Sequence, residues 1–295
     1  MKDKLYRDGI LGDVVLKTNP RSRRISIRIH PEKGVTVNIP AGISCGKGFD
    51  FFLSERGKIA EVMARQKNIT ESARKAGKAV SPPSDGVVVR TLLSEITFVL
   101  ESVDAEATPG ISGRDVFVAE DLSSTGRDFL NTERPVTRKF IRYRSRSYGG
   151  DEADSGFLMR ELVRVIRTEA DFLLPAKLEF FARKYDFVFD SVSVKHNSSN
   201  WGSCSGKRNI NLNLNIMRLP EPLCDYVVLH ELCHLRYHDH GPCFHRFLDM
   251  LCDDNMKRLS NAGDPYALNL AEKIAAGAST SGNVMRREIS GYRLI

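Results

Sequence analysis

His230 and His234 stand four residues apart with Glu231 beside the first, and His240 follows six residues after the second. On a helix, residues four apart lie one turn apart on nearly the same face, so both imidazoles of this HExxH run converge on one point. Glu231 falls about 100° around the same helix, beside that point and not on it. Converging imidazoles bind a divalent metal, and a carboxylate at their side is placed to take a proton from water. The bare run is only moderately specific, so its setting has to carry weight.

That setting is a buried helix. Leu219-Pro220-Glu221-Pro222 reads as its start, with proline tolerated in the first turn and Glu221 and Asp225 near the positive end of the dipole. Leu223, Val227, His230 and His234 form one stripe, and Val228, Leu232 and Leu235 a second. A helix apolar on both sides of its histidines is a buried one, and buried imidazoles need partners. For a third ligand, His238 would lie roughly 12 Å along the axis from His230, too far for one ion. The chain has to turn back first, which favours His240, just before the helix-breaking and helix-starting pair Gly241-Pro242. His240 ranks ahead of His245, and both ahead of a distant carboxylate such as Glu272. Three protein ligands leave a fourth position for water, the arrangement of a catalytic site.

The run from Asp225 to Leu235 and the later His240-Gly241-Pro242-Cys243-Phe244 resemble the YgjP-like metallopeptidase family, related to the WLM and SprT-like zinc proteases. Trp201-Gly202-Ser203-Cys204-Ser205 resembles that family's second signature, and residues 21–29 and 35–40 its N-terminal block, so the likeness spans roughly 13–252. The resemblance implies that His230, His234 and His240 hold one zinc ion per chain and that Glu231 is the catalytic base. This chain departs from the family pattern at His245, where a tryptophan is usual, and at Ser199-Asn200, where a Thr-Arg pair is usual.

The flanking chain reads as α+β: a zincin-like core, in which the active-site helix packs on a small, mostly antiparallel sheet, preceded by a β-rich N-terminal half. Strands are expected at 14–17, 25–29 and 35–39, a helix over 48–67, and short strands near 87–92, 96–102 and 114–119. The organisation expected is a β-rich region with one helix over 1–120, a polar loop or insertion over 121–156, the catalytic region over 157–260 and a flexible tail over 261–295. Leu158, Leu162, Val165, Ile166, Ala170 and Leu173 repeat at helical spacing, and the pattern continues past Pro175, giving one long helix or two in series. A strand over 187–194 follows. Asn209 to Ile216 reads as the clearest strand, with Ile210, Leu212, Leu214 and Ile216 on one face and four asparagines on the other. Asparagine is depleted in strands. The asparagines therefore stand either for cross-strand amide contacts on a solvent face or for a strand at the cleft edge that takes extended peptide by main-chain pairing.

Composition excludes several classes. The 295 residues show no run of 18 apolar residues and no signal-peptide core, so a cytoplasmic chain without membrane association is expected. Six cysteines without a CxxC pair indicate neither a zinc ribbon nor a disulfide framework. The net charge of +7 is uneven: Arg134 to Arg146 holds six basic residues and no acid, interleaved with Phe140 and Tyr143. Arg142, Arg144 and Arg146 make a nucleic-acid site one reading of that stretch, and a solvated strand face the favoured one.

The function expected is hydrolysis of an amide bond in a peptide or unfolded protein by metal-activated water. Trp201, Asn211, Asn213 and His245 are the expected substrate contacts. The alternatives are a nucleic-acid-associated protease acting on DNA-bound protein and a hydrolase of a non-peptide amide. The oxyanion-stabilising group stays open among His245, Tyr237, His238 and Asn197.

Overall fold

Alternating valine and isoleucine side chains build the first sheet. The computed structural model describes residues 3–30, 34–100, 116–127, 133–143, 151–277 and 279–295, which divide into two units, Met1–Gly77 and Lys78–Ile295. In the first unit, β1 (Lys4–Asp8), β2 (Gly12–Asn19), β3 (Ser26–His30) and β4 (Gly34–Pro40) form a sheet of order β1-β2-β4-β3. The β2–β4 pair is parallel and the other two are antiparallel. Val14, Leu16, Val35, Val37 and Ile39 are buried together with Phe52 and Ile59 of helix α1 (Cys45–Lys75). Asp8, 4% exposed, accepts the N–H groups of Ile10 and Leu11 at 2.8 and 3.0 Å. Its two oxygens also take a fork from Arg56 of α1 at 2.7 and 3.0 Å, which ties the β1–β2 turn to the helix.

The second unit opens with a sheet of order β5-β6-β8-β7, made of β5 (Val88–Arg90), β6 (Ser94–Leu100), β7 (Val116–Arg127) and β8 (Glu133–Tyr143). Ile96, Phe98, Ile141 and Tyr143 bury its inner face in one core with Leu158, Leu162 and Ile166 of α2 (Asp151–Lys184). Glu169 of α2, 4% exposed, accepts from Ser94 Oγ, Thr91 Oγ1 and Lys139 Nζ, joining helix to sheet. The expectation of loop over 121–156 is thus corrected: much of it is β7, β8 and the first turn of α2. Strand pairing in β7 organises a sequence too polar to show a strand period by itself. α2 also passes through Pro175 as one helix, because the fully buried Leu174 and Leu178 on either side hold it against the core while proline removes a single N–H.

The third sheet has order β10-β11-β9, from β9 (Ser191–Lys195), β10 (Gly202–Cys204) and β11 (Asn209–Asn213). It is mixed, β10–β11 antiparallel and β11–β9 parallel, which corrects the mostly antiparallel sheet expected. The strand expected to run to Ile216 stops at Asn213, whose Oδ1 accepts the Asn215 N–H and caps a 3-10 turn over Leu214–Arg218. Helices α3 (Glu221–Cys233), α4 (Pro242–Asn261), α5 (Pro265–Ala276) and α6 (Ser281–Ser290) complete the unit. The expected flexible tail is therefore two capped helices. Asp264 accepts the Ala267 N–H at the start of α5, Thr280 the Asn283 N–H at the start of α6, and Met285 and Ile289 are buried.

One buried charge network fixes α3. Lys177 of α2 is 0% exposed and pairs with Glu221 and with Asp225 Oδ1 at 2.5 Å, both on α3. Asp225 Oδ2 accepts from Asn255 and Arg258 of α4 at 3.0 and 3.1 Å. Among the described residues no helix is long and apolar enough to cross a membrane.

Candidate metal and catalytic centre

Pro220 and Pro222 start α3, and the helix ends at His234. The chain then turns: the N–H groups of Leu235, Arg236 and Tyr237 bond back to Leu232 and Cys233, and α4 begins at Pro242. This reversal brings His240 back over α3. Its Nε2 lies 3.1 Å from Nε2 of His230, and one nitrogen from each of His230, His234 and His240 falls within 4.8 Å of the others. Among the described residues this is the one group of three or more metal-binding side chains that close together. His238, exposed in the turn, and Glu272, exposed on α5, stand outside it.

Phe244, fully buried on α4, lies under all three rings, its centroid 4.9, 4.7 and 4.8 Å from those of His230, His234 and His240. An apolar floor of this kind disfavours the charged form of His230 and His234. Burial, then the neighbouring imidazoles, pushes the His230 pKa down to about 3, and burial lowers that of His234. The Tyr237 carbonyl, 3.1 Å from His234 Nδ1, can only accept, so it places the proton on Nδ1 and leaves Nε2 with a lone pair. Among the described residues the buried Nδ1 of His230 has no hydrogen-bond partner.

These residues fit a zinc ion. Tetrahedral zinc with nitrogen ligands at about 2.0–2.1 Å spaces those nitrogens about 3.3 Å apart, near the separation of the His230 and His240 atoms. Neutral imidazoles with converging lone pairs have little to offer one another and much to offer a cation.

Glu231, 5% exposed, sits beside the trio with its carboxyl against Gly202 of β10. Burial pushes its pKa up to about 8, and among the described residues no hydrogen bond reaches the carboxyl. A cation at the trio acts in the opposite direction, holding the carboxylate ionised.

The asparagine-faced strand plays a different part from the one expected at the cleft edge. β11 lies in the middle of its sheet, paired on both sides, and β10 and β9 are the edge strands. Asn213, 1% exposed, donates to the carbonyls of Asn197 and Asn200 at 2.7 and 2.8 Å and accepts from Asn215, so its side chain is wholly engaged within the fold and is corrected as a substrate contact. Asn211 donates to Ser203 Oγ at 3.1 Å, and Asn209 accepts from Ser191. Trp201 is half-buried on the core, and its carbonyl accepts the Asn213 N–H.

His245 is exposed and stacks on His240 with centroids 6.3 Å apart. With Tyr226, Asp249, Thr280, Asn283 and Arg286 it lines a cavity of about 20 Å³. Three of those residues, Thr280, Asn283 and Arg286, come from α6 and the residue just before it, within the segment expected to be a flexible tail. Of the basic stretch, Arg142 is exposed on β8 near the Phe140 ring, whereas Lys139 is turned inward to Glu169. Arg144 and Arg146 lie outside the described residues.

Residues 130–261, which hold α2, the third sheet, α3 and α4, match the family model described as YgjP-like, metallopeptidase domain. No curated protein and no solved structure matches the chain.

Proposed function

We propose that this chain, whose residues 130–261 match the YgjP-like metallopeptidase domain model, is a zinc-dependent peptide hydrolase with Glu231 as its general base. The observation that carries the reading is the convergence of His230, His234 and His240, with the buried carboxyl of Glu231 on the same helix and, among the described residues, no hydrogen bond to it. Zinc in that cage supplies a lowered pKa for water and polarisation of a substrate carbonyl. Glu231 takes the proton of the attacking water on its carboxylate and passes it to the leaving amine. Phe244 and the neutral rings keep the surroundings apolar, which strengthens each charge interaction there.

Peptide is the substrate class favoured by β10. The pairs Trp201–Asn213, Ser203–Asn211 and Ser205–Asn209 face β11, so by the alternation of an antiparallel ladder the main chain of Gly202 and Cys204 turns to the other edge. Asn200 Nδ2 donates to the Gly202 carbonyl at 2.9 Å. That leaves the N–H of Gly202 and both main-chain groups of Cys204 to pair with an extended substrate running past Glu231, an interaction with little sequence preference.

The test is metal analysis joined to proteolysis of an unfolded protein such as casein. Wild type is expected to carry one zinc per chain and to cleave. Glu231→Gln is expected to keep the zinc and lose roughly 10²–10⁴ in rate, the range a general base contributes. A Glu231→Gln protein that cleaves as wild type sinks the assignment.

A further inference from the structure

We infer that Gly202 is the positioning residue for Glu231: the missing side chain at 202 is what allows the carboxyl to lie against the face of β10. A Cβ built at position 202 would fall 2.6 Å from Glu231 Oε1, 2.8 Å from Cγ and 2.9 Å from Cδ. Ordinary contact begins near 3.4 Å, so the outer half of the Glu231 side chain would have to move by about 0.8 Å. Because Cγ is caught along with the carboxyl, rotating the terminal group does not relieve the overlap.

The backbone itself does not call for glycine here. Gly202 is absent from the glycines with positive φ, and it lies in a regular strand, where glycine is locally unfavourable. Space is the remaining reason, and the occupant of the space is the proposed base.

The wall behind that base is also held in place. Asn213 donates to the carbonyls of Asn197 and Asn200, Asn200 donates to the carbonyl of Gly202, and Asn211 ties Ser203 across the ladder. The asparagines of β11 thus anchor the loop and strand that face Glu231, so β10 cannot retreat from an added methyl group. No hydrogen bond from the described residues holds the Glu231 carboxyl, which leaves this contact to set its position.

The catalytic half of the inference rests on the peptidase reading above, and the structural half does not. For the structural half, melting of metal-free protein is compared in a cycle of Gly202→Ala and Glu231→Ala. Gly202→Ala is expected to lower the melting temperature when Glu231 is present and to leave it unchanged or raised when Glu231 is alanine. An equal loss in both backgrounds overturns the inference. Where Gly202→Ala alone does not fold, recovery of folding in the double variant supports the contact and continued failure overturns it. For the catalytic half, Gly202→Ala is expected to retain one zinc and a KM within about twofold while kcat drops about 100-fold, as a displacement near 1 Å can cause. Unchanged kcat in that variant overturns the inference. An inactive wild-type protein would instead count against the peptidase reading, with the melting cycle still deciding the contact.

Discussion

Replacing Lys177 by methionine isolates the charge network that holds α3. Methionine keeps the bulk of the side chain and removes the ammonium, leaving Glu221 and Asp225 facing each other in the core with 14% and 0% of their side chains exposed. Breaking a buried pair by removing one partner destabilises by about 3–5 kcal/mol. The lower end applies here, because Arg258 and Asn255 continue to hold Asp225 Oδ2. A loss of about 3 kcal/mol corresponds to roughly 6–12 °C for a unit of this size. The pH dependence is the sharper part. Burial works to lower the Lys177 pKa, but Asp225 and Glu221 outweigh it and hold it above the ordinary 10.5. Its contribution is therefore complete at every pH below that value and is lost only as pH rises through the raised one. In the variant, Glu221 stays raised by burial and by Asp225 with no lysine to oppose them. A carboxyl with a raised folded pKa weakens the fold above that pKa and is relieved as pH falls through it. The deficit relative to wild type is thus expected to shrink between pH 8 and pH 5. Trp201, the single tryptophan, reports on the second unit, so urea unfolding followed by its fluorescence measures the effect. A deficit equal at both pH values would show that lost packing, not an unpaired charge, is responsible, and a deficit below about 1 kcal/mol would refute the network's role altogether.

His240→Ala is expected to weaken zinc binding by more than the roughly 10–100-fold typical of an outer hydrogen-bond partner, with His245→Ala holding its metal; titration against a chelator separates them, and the reverse pattern would move the third ligand to His245. Asp8→Asn should destabilise the first unit at neutral pH. Arg56, then the Ile10 and Leu11 N–H groups, hold the Asp8 carboxyl well below its ordinary 3.8, so its contribution is present above that value and is lost as pH falls below it. Circular dichroism melts of wild type and Asp8→Asn are expected to draw closer as pH falls from 5 to 2, and a gap of unchanged size over that range would argue against the ion pair as the cause.

Why the chemistry was legible and its wall was not comes down to the range over which each is encoded. His230 and His234 are one helical turn apart, and the turn over Leu235–Tyr237 followed by the fresh helix start at Gly241-Pro242 returns His240 to them, so the meeting of the three imidazoles follows from local periods and local breakers. The strand order β10-β11-β9 has no local signature. Eight residues of alternating asparagine and aliphatic side chains read alike for an edge strand and for a central one, and pairing decides between them. Asn213 is the instructive case: its type marked it correctly as a residue with a task, and its burial shows the task to be holding the carbonyls of Asn197 and Asn200. At the tail, by contrast, local signals were present. Asp264-Pro265 and Thr280 are helix starts of a familiar kind, outweighed in the reading by the small residues around 277–282. The side chain at position 202 is the furthest from local inference, since a glycine after a lone tryptophan reads as a turn. Only the approach of Glu231 from α3, 29 residues later in the chain, gives its absence a purpose, and the same approach makes the asparagine ladder behind it part of how the proposed base is held.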